Sequence, residues 1–251
     1  TMNPGDYILF YAERNDGWLD SSMYDDPNNI GNPAYSLYND TLTYFFTWNS
    51  STNNLRFTIE TDVNFGAYSN VADYITYNAT VFGSGYYHEG IRTIYSSSSF
   101  YTSGEGWGNN AKNGYSTSPV YSPDVLNTNT PYPYTGPGAP DATFTGRSVS
   151  ANSLNHHLRW EFGTSNTIIY DNIWTGYDQA KCDVTISPTL ISNGNTPITF
   201  RIVPDLGAAT DYQAFQYLNL EYARELNFNG DNELTFHVSN DPQGKIRLDF
   251  S

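Results

Sequence analysis

The chain has 251 residues, enough for one large or two ordinary domains with an ample core. A formal net charge of -15, from 26 acidic and 11 basic side chains, argues against nucleic acid, whose phosphates it would repel. No apolar run reaches spanning length, which argues against membrane insertion, and the one cysteine, Cys182, permits no internal disulfide. Aromatic residues make up 16%, with 22 tyrosines, and this content with the many Thr, Ser and Asn suits pleated surfaces and turns, not helices.

In chain order, Asn3-Pro4-Gly5-Asp6 opens an apolar strand at 7–13. Residues 14–18 form a turn that delivers Trp18, and 20–33 is a loop rich in Asp and Asn. Residues 42–48 and 55–61 read as a hairpin across 49–54. The stretch 71–87 is open between strand, short helix and extended connector. These pieces make a first β unit, 1–96. Residues 97–141 change character. Six prolines fall between Pro119 and Pro140 among several glycines, and such a segment cannot sustain a hydrogen-bonded ladder for long. It is expected to be irregular surface structure, either an insertion packed by its aromatics or a mobile loop.

From residue 142 the strand rhythm is regular, and 142–251 forms the third unit. Strands are expected at 144–150, 156–162, 167–170, 180–186 and 196–203. In the second of these, Leu158, Trp160 and Phe162 face in while His157, Arg159 and Glu161 face out; Ile198, Phe200 and Ile202 share one face of the last. Residues 215–222 and 234–238 are expected to pair as a hairpin through Asn229-Gly230-Asp231-Asn232, because Asn and Gly tolerate the positive φ of tight turns. A terminal strand at 246–250 follows. About eight short antiparallel strands separated by turns indicate an all-β protein whose C-terminal unit is a jelly-roll, galactose-binding-like sandwich. Both ends read as cuts inside a longer polypeptide, so further domains of that polypeptide are expected downstream.

Candidate chemistry is sparse. Cys182 shares a strand face with Val184 and Ile186 and reads as a buried, inert thiol. His156 and His157 are adjacent on a strand, point to opposite faces and cannot close on one ion. Glutamates for glycoside hydrolysis exist at 13, 60, 105, 161 and 221, but no spacing favours a pair, and no catalytic residue is assigned. Calcium is better motivated: Asp20, Asp25, Asp26 and Asn28, with Asn29, place hard oxygens at short intervals in one loop, although an ordinary Asx-rich turn has the same composition. Trp18, Trp107, Tyr115, Tyr121, Tyr132 and Tyr134 all fall in expected loops. Sugars stack on such rings while neighbouring polar groups bond their hydroxyls; the same rings also serve to pack loops down.

Several stretches together resemble one family. Gly5-Asp-Tyr-Ile-Leu-Phe-Tyr-Ala-Glu13 is similar to the strand that opens the N-terminal region of type IX secretion sortases, gingipain-type cysteine peptidases of Bacteroidetes outer membranes. Residues 38–46 resemble the following strand, Ser103-Gly-Glu-Gly-Trp-Gly108 the start of a second sandwich, and 216–226 the run that closes it. Closing runs of this kind also occur in galactose-binding-like jelly rolls, including carbohydrate-binding modules. The family's catalysis resides in a downstream α/β domain with a Cys–His pair. Nothing here has that pattern, so no catalytic residue carries over.

Two functions stay open. The resemblance implies a non-catalytic accessory or interaction region of a secreted or cell-surface protein, extracellular or on the outer surface. The composition of the loops suits a carbohydrate-binding module that uses their aromatics and calcium. In both, a glycan or protein partner meets the loop surface.

Overall fold

Side-chain alternation is obeyed where the sequence showed it most clearly: Leu158, Trp160, Phe162, Ile198, Phe200 and Ile202 are all buried in one core. The computed structural model describes residues 10, 12, 15–39, 41–45, 61, 63–68, 73–91, 99–228, 230, 234–236 and 247–249. Among the described residues, eleven strands run in order: β1 (Tyr74–Phe82), β2 (Tyr86–Glu89), β3 (Glu105–Gly108), β4 (Lys112–Asn113), β5 (Asp124–Thr130), β6 (Ala142–Ser150), β7 (Asn155–Phe162), β8 (Thr167–Thr175), β9 (Gln179–Ile186), β10 (Gly194–Ile202) and β11 (Tyr212–Glu225). Short 3-10 turns occupy Asp20–Met23, Pro27–Asn29, Phe65–Ala67 and Pro188–Leu190. The protein is all-β and antiparallel.

Leaving out the small strands β2, β3 and β4, eight strands remain, and they pair by nesting. β1 pairs with β11, β5 with β10, β6 with β9 and β7 with β8, all antiparallel. The result is a front sheet in the order β1-β11-β6-β9 and a back sheet in the order β5-β10-β7-β8. First strand against last, second against seventh, third against sixth and fourth against fifth is the wound-up order of a jelly roll. Phe144, Trp160, Phe200 and Phe215 fill the space between the sheets, with Trp160 edge-on to Phe144, Phe200 and Phe215 at 5.4, 5.2 and 6.0 Å. Such edge-to-face contacts add about 0.5–1.5 kcal/mol each beyond burial.

The roll crosses the boundaries expected from sequence. β1 lies within 1–96 and β5 within 97–141, yet each is a strand of the same sandwich as β6–β11. The expectation of irregular structure over 97–141 is corrected by β3, β4 and β5. The prolines flank β5 at 119, 123, 131, 133, 137 and 140, and the seven residues of the strand contain none. The expected hairpin is corrected too. β11 pairs with β1 on one side and β6 on the other, while 234–236 form no strand. Residues 41–45 also lie outside any strand. The expected strand at 55–61, most of that at 7–13 and the turn at 229–232 fall largely outside the described residues, and within the expected strand at 246–250 the described residues 247–249 form no strand.

Between β1 and β5 the chain leaves the roll and returns, and β2 and β3 pair in this excursion. They join residues 15–39 in a lobe laid on the outer face of the front sheet. Lys181 of β9 donates Nζ to Asn29 Oδ1 at 2.7 Å, and Gln216 of β11 donates Nε2 to the Gly104 carbonyl at 2.8 Å. A Cβ on Gly31 would lie 2.4 Å from Gln216 Oε1, so only glycine lets the lobe backbone come this close.

Candidate functional site

The front sheet presents two unlike faces. Leu218, Leu220, Phe144 and Cys182 point into the core, so the residues between them point out. On β11 these are Tyr217, Asn219 and Glu221; opposite them stand Thr80 and Asn78 of β1, Thr145 and Thr143 of β6, and then Asp183 and Thr185 of β9. The lobe covers the half of this face around Ala214, Gln216 and Val149. The other half is open, with Thr80, Thr143, Asp183, Thr185 and Glu221 exposed.

This open half is a hydrogen-bonding floor with a fixed arrangement. Asn219 donates Nδ2 to Asn78 Oδ1 at 2.7 Å and accepts on Oδ1 from Thr80 Oγ1 at 2.9 Å. The Tyr217 hydroxyl also bonds Thr80, and burial holds its pKa above the ordinary tyrosine value. Arg147 extends over β9, donating to Asp183 at 3.1 Å and to the Cys182 carbonyl at 3.3 Å. A β-bulge between Phe215 and Tyr217 marks where the floor meets the lobe. Bulges of this kind re-aim side chains, and here Gln216 turns under the lobe while Tyr217 opens the floor.

An aromatic mini-core binds the lobe together. Trp107 of β3 contacts Tyr35 and Tyr87 edge-on at 6.0 and 5.6 Å, and Tyr35 lies 5.9 Å from Phe82 of β1. Trp107 also donates Nε1 to the Leu37 carbonyl at 3.2 Å. Its expected part in a loop platform is therefore corrected: the ring is a packing element on a strand.

Of the other expected aromatics, Trp18 stands 62% exposed on the lobe. Tyr115 and Tyr121 accept backbone hydrogen bonds from Leu206 and Ile202 at 2.9 and 2.8 Å. Burial pushes the Tyr121 hydroxyl up to about 12. Tyr132, at a left-handed φ of 49°, donates its backbone N–H to Asn193 Oδ1, and Tyr134 packs on Tyr74 at 5.2 Å. Because β10 runs from Gly194 to Ile202, these two pairs sit at opposite ends of it, roughly 26 Å apart at 3.3 Å per residue. The six rings are four separate features: Trp107, Trp18, the Tyr115–Tyr121 pair and the Tyr132–Tyr134 pair.

The Asx-rich loop behaves as a set of turns. Asp20 is buried and directed at the chain beyond the loop, accepting on Oδ2 from Ser36 Oγ at 3.0 Å and Leu37 N at 2.8 Å. Asp26 Oδ1 caps Pro27–Asn29, accepting from both nitrogens of Asn28 at 2.9 Å. Asp25 accepts from Asn29 Nδ2 at 2.9 Å, a bond that holds its carboxyl below the ordinary range. Among the described residues no group of three or more His, Cys, Asp or Glu is placed to hold a metal ion. Of the expected calcium ligands, Asp20 is bonded to Ser36 and Leu37, whereas Asp25, Asp26 and Asn28 bond within 25–29.

His156, His157, Glu161, Glu105 and Cys182 are tied into the fold, while Glu221 is exposed on the floor. His156 points inward to Asp211 at 2.6 Å, and His157 points outward between Asp205 and Asp171 at 2.7 and 2.6 Å, on opposite faces as adjacent strand residues must be. Glu161 forms a two-pronged pair with Arg201 at 2.6 and 2.9 Å, and Glu105 accepts from Tyr87 Oη and Thr102 N. Cys182 is fully buried, and burial pushes its thiol up to about 12.

No family model matches the chain, and no curated protein matches it. Among solved structures, dimeric latent PorU from Porphyromonas gingivalis is similar over 65% of this chain at 6% identity, with a TM-score of 0.42; this chain spans 14% of that one. The CBM36-1 domain of a multidomain xylanase from the hindgut metagenome of Trinervitermes trinervoides is similar over 58% of this chain and 95% of its own, at 14% identity and a TM-score of 0.32. A carbohydrate-binding module, CBM36, in complex with calcium and xylotriose is similar over 58% of this chain and 98% of its own, at 13% identity and a TM-score of 0.30.

Proposed function

We propose that this chain is a non-catalytic β-sandwich module of a secreted or cell-surface multidomain protein, and that it binds an extended neutral glycan on the open half of the front sheet. The observation that carries the reading is the Asn78–Asn219–Thr80–Tyr217 network. It fixes amide and hydroxyl groups in a row across two strands, with a tyrosine ring at one end and the lobe as a wall beside it. Glycans need such a mix of hydrogen-bonding groups and a ring, and a surface already ordered spends little free energy on arranging itself. A chain of net charge -15 repels acidic polysaccharides, which leaves neutral ones. The non-catalytic reading is supported by Glu161 and Glu105, whose carboxylates are occupied by Arg201 and by Tyr87 with Thr102. A parent protein resembling a type IX sortase is supported by the ordered motifs at 5–13, 38–46, 103–108 and 216–226.

Affinity electrophoresis through gels containing neutral xylan, mannan or β-glucan tests the surface. Wild type is expected to be retarded by at least one of them, and Asn219→Ala and Tyr217→Ala to lose most of that retardation. Trp18→Ala is expected to keep it. Free migration of the wild type in every gel, or unchanged retardation of both floor variants, ends this reading.

A further inference from the structure

The lobe carries a second surface of different chemistry. Trp18, Leu19, Met23, Tyr38 and Phe100 are 62, 55, 41, 62 and 55% exposed. Leu19 and Met23 flank one 3-10 turn, Tyr38 Oη reaches Met23 Sδ at 3.6 Å, and Tyr38 and Tyr101 share a hydroxyl hydrogen bond of 2.6 Å. The Tyr101 backbone N–H donates to the Met23 carbonyl at 3.0 Å, which sets Phe100 at the same edge. Single exposed apolar residues are ordinary, but five gathered on one turn and the segments tied to it mark a binding surface.

The frame beneath them is rigid. Gly17 turns at φ +87° with Ser36 Cα 2.8 Å from where a Cβ would lie, and Trp18 N donates to Asp16 Oδ1 at 3.0 Å. The buried Asp20 carboxylate then ties this turn to residues 36 and 37. Trp, Tyr and Met held in place this way are the residue types that anchor protein interfaces at low ordering cost.

The rim decides the partner. Residues 15–39 and 99–108 contain no Lys, Arg or His, Asp25 and Asp26 are exposed beside Met23, and Lys181, the cation that acts on Asp25, is held by Asn29. A second copy of this chain, at -15, would bring like charge against like charge. We infer that the Trp18–Met23–Tyr38–Phe100 patch docks a basic protein segment that carries apolar side chains between its cations, with Trp18 as the central anchor.

The test is fluorescence anisotropy of a labelled peptide of alternating lysine and leucine, run against an all-lysine peptide and a glutamate–leucine peptide. The first is expected to bind tightest. Trp18→Ala and Met23→Ala, both exposed sites that leave the charge untouched, are expected to weaken it roughly tenfold with no change in melting temperature. Asn219→Ala is expected to bind it as wild type does, which separates this surface from the glycan floor. Equal binding of the all-lysine peptide would show diffuse charge attraction and overturn the inference. So would unchanged binding by Trp18→Ala, equal binding of the glutamate–leucine peptide, or a wild-type dimer that Trp18→Ala dissociates.

Discussion

The imidazole of His156 and the carboxylate of Asp211 meet at 2.6 Å with almost no solvent on either side chain. The other ring nitrogen of His156 lies 3.0 Å from the Asn152 carbonyl. Asp211 also accepts from His157 N at 3.1 Å and Gln213 Nε2 at 3.0 Å, and its own N–H reaches Asn113 Oδ1 at 3.0 Å. The carboxylate thus fastens β7 to the start of β11, and the backbone N–H of the same residue adds β4. Removing either member leaves a buried polar group of the other without its partner, at a cost of about 1–3 kcal/mol. Urea unfolding of Asp211→Ala and His156→Ala should each show a loss of this size, and the double variant should lose far less than the sum. Additive losses would mean that the two side chains do not act as a pair.

Next to this pair, Asp171 gives stability a defined dependence on acid. Arg159 Nε at 2.7 Å, and then His157, hold its carboxyl below the ordinary range. A depressed carboxyl contributes stability above its unfolded value and loses it as pH falls through the folded one. Asp171 is 42% exposed on its side chain, so the contribution is a small, solvent-screened one. The difference in urea midpoint between wild type and Asp171→Asn should therefore be constant near neutrality and shrink below about pH 4. A difference that grows on acidification has the wrong sign for this pairing.

Cys182 sits in the core between Val184 and Ala180 on β9, with its thiol pushed up to about 12 by burial. It should resist aromatic disulfide reagents in the native protein and react fully in denaturant, where a free cysteine returns to about 8.5. Fast native labelling at neutral pH would place the thiol at the surface and contradict the packing of β6 on β9.

The parts of the fold legible in sequence are those fixed by local alternation. β7 and β10 announce their inward residues, and Trp160 was readable as core from its neighbours Leu158 and Phe162 alone. β1 was not readable as the first strand of the roll. Its inward face, Ile75, Tyr77, Ala79 and Val81, alternates with Thr76, Asn78 and Thr80, but its partner strand is far away in the chain. The floor was hidden for the same reason, since Asn78 and Asn219 lie 141 residues apart. A signal did exist: Asn219 and Glu221 alternate with Leu218 and Leu220, and Thr143 and Thr145 flank Phe144. Trp107 misled because Gly106 and Gly108 beside it read as loop, whereas they admit a strand that packs closely against Tyr24 and Phe215. Composition tells that a ring is present, and only the tertiary contacts tell whether it packs or stands out.

Two glycines of nearly equal backbone conformation separate the docking of the lobe from the cost of the backbone itself. Gly104 has φ +75° and Gly138 has φ +77°. A Cβ on Gly104 would lie 2.8 Å from Val149 Cγ2 and 3.4 Å from Gln179 Cβ, inside the lobe–sheet contact. A Cβ on Gly138 would meet nothing within 4 Å. Both alanine variants carry the cost of a left-handed alanine, about 1 kcal/mol. Only Gly104→Ala must also push the lobe off Val149 and strain the Gln216 hydrogen bond to the Gly104 carbonyl. Gly104→Ala should accordingly lose about 1–3 kcal/mol more than Gly138→Ala, in the range of overpacking. Hydrogen exchange should localise the difference to residues 24–32 and 101–108, with β7 and β10 unaffected. Equal losses in the two variants, or exchange that rises evenly through the sandwich, would show that the lobe does not rest on the front sheet through this contact.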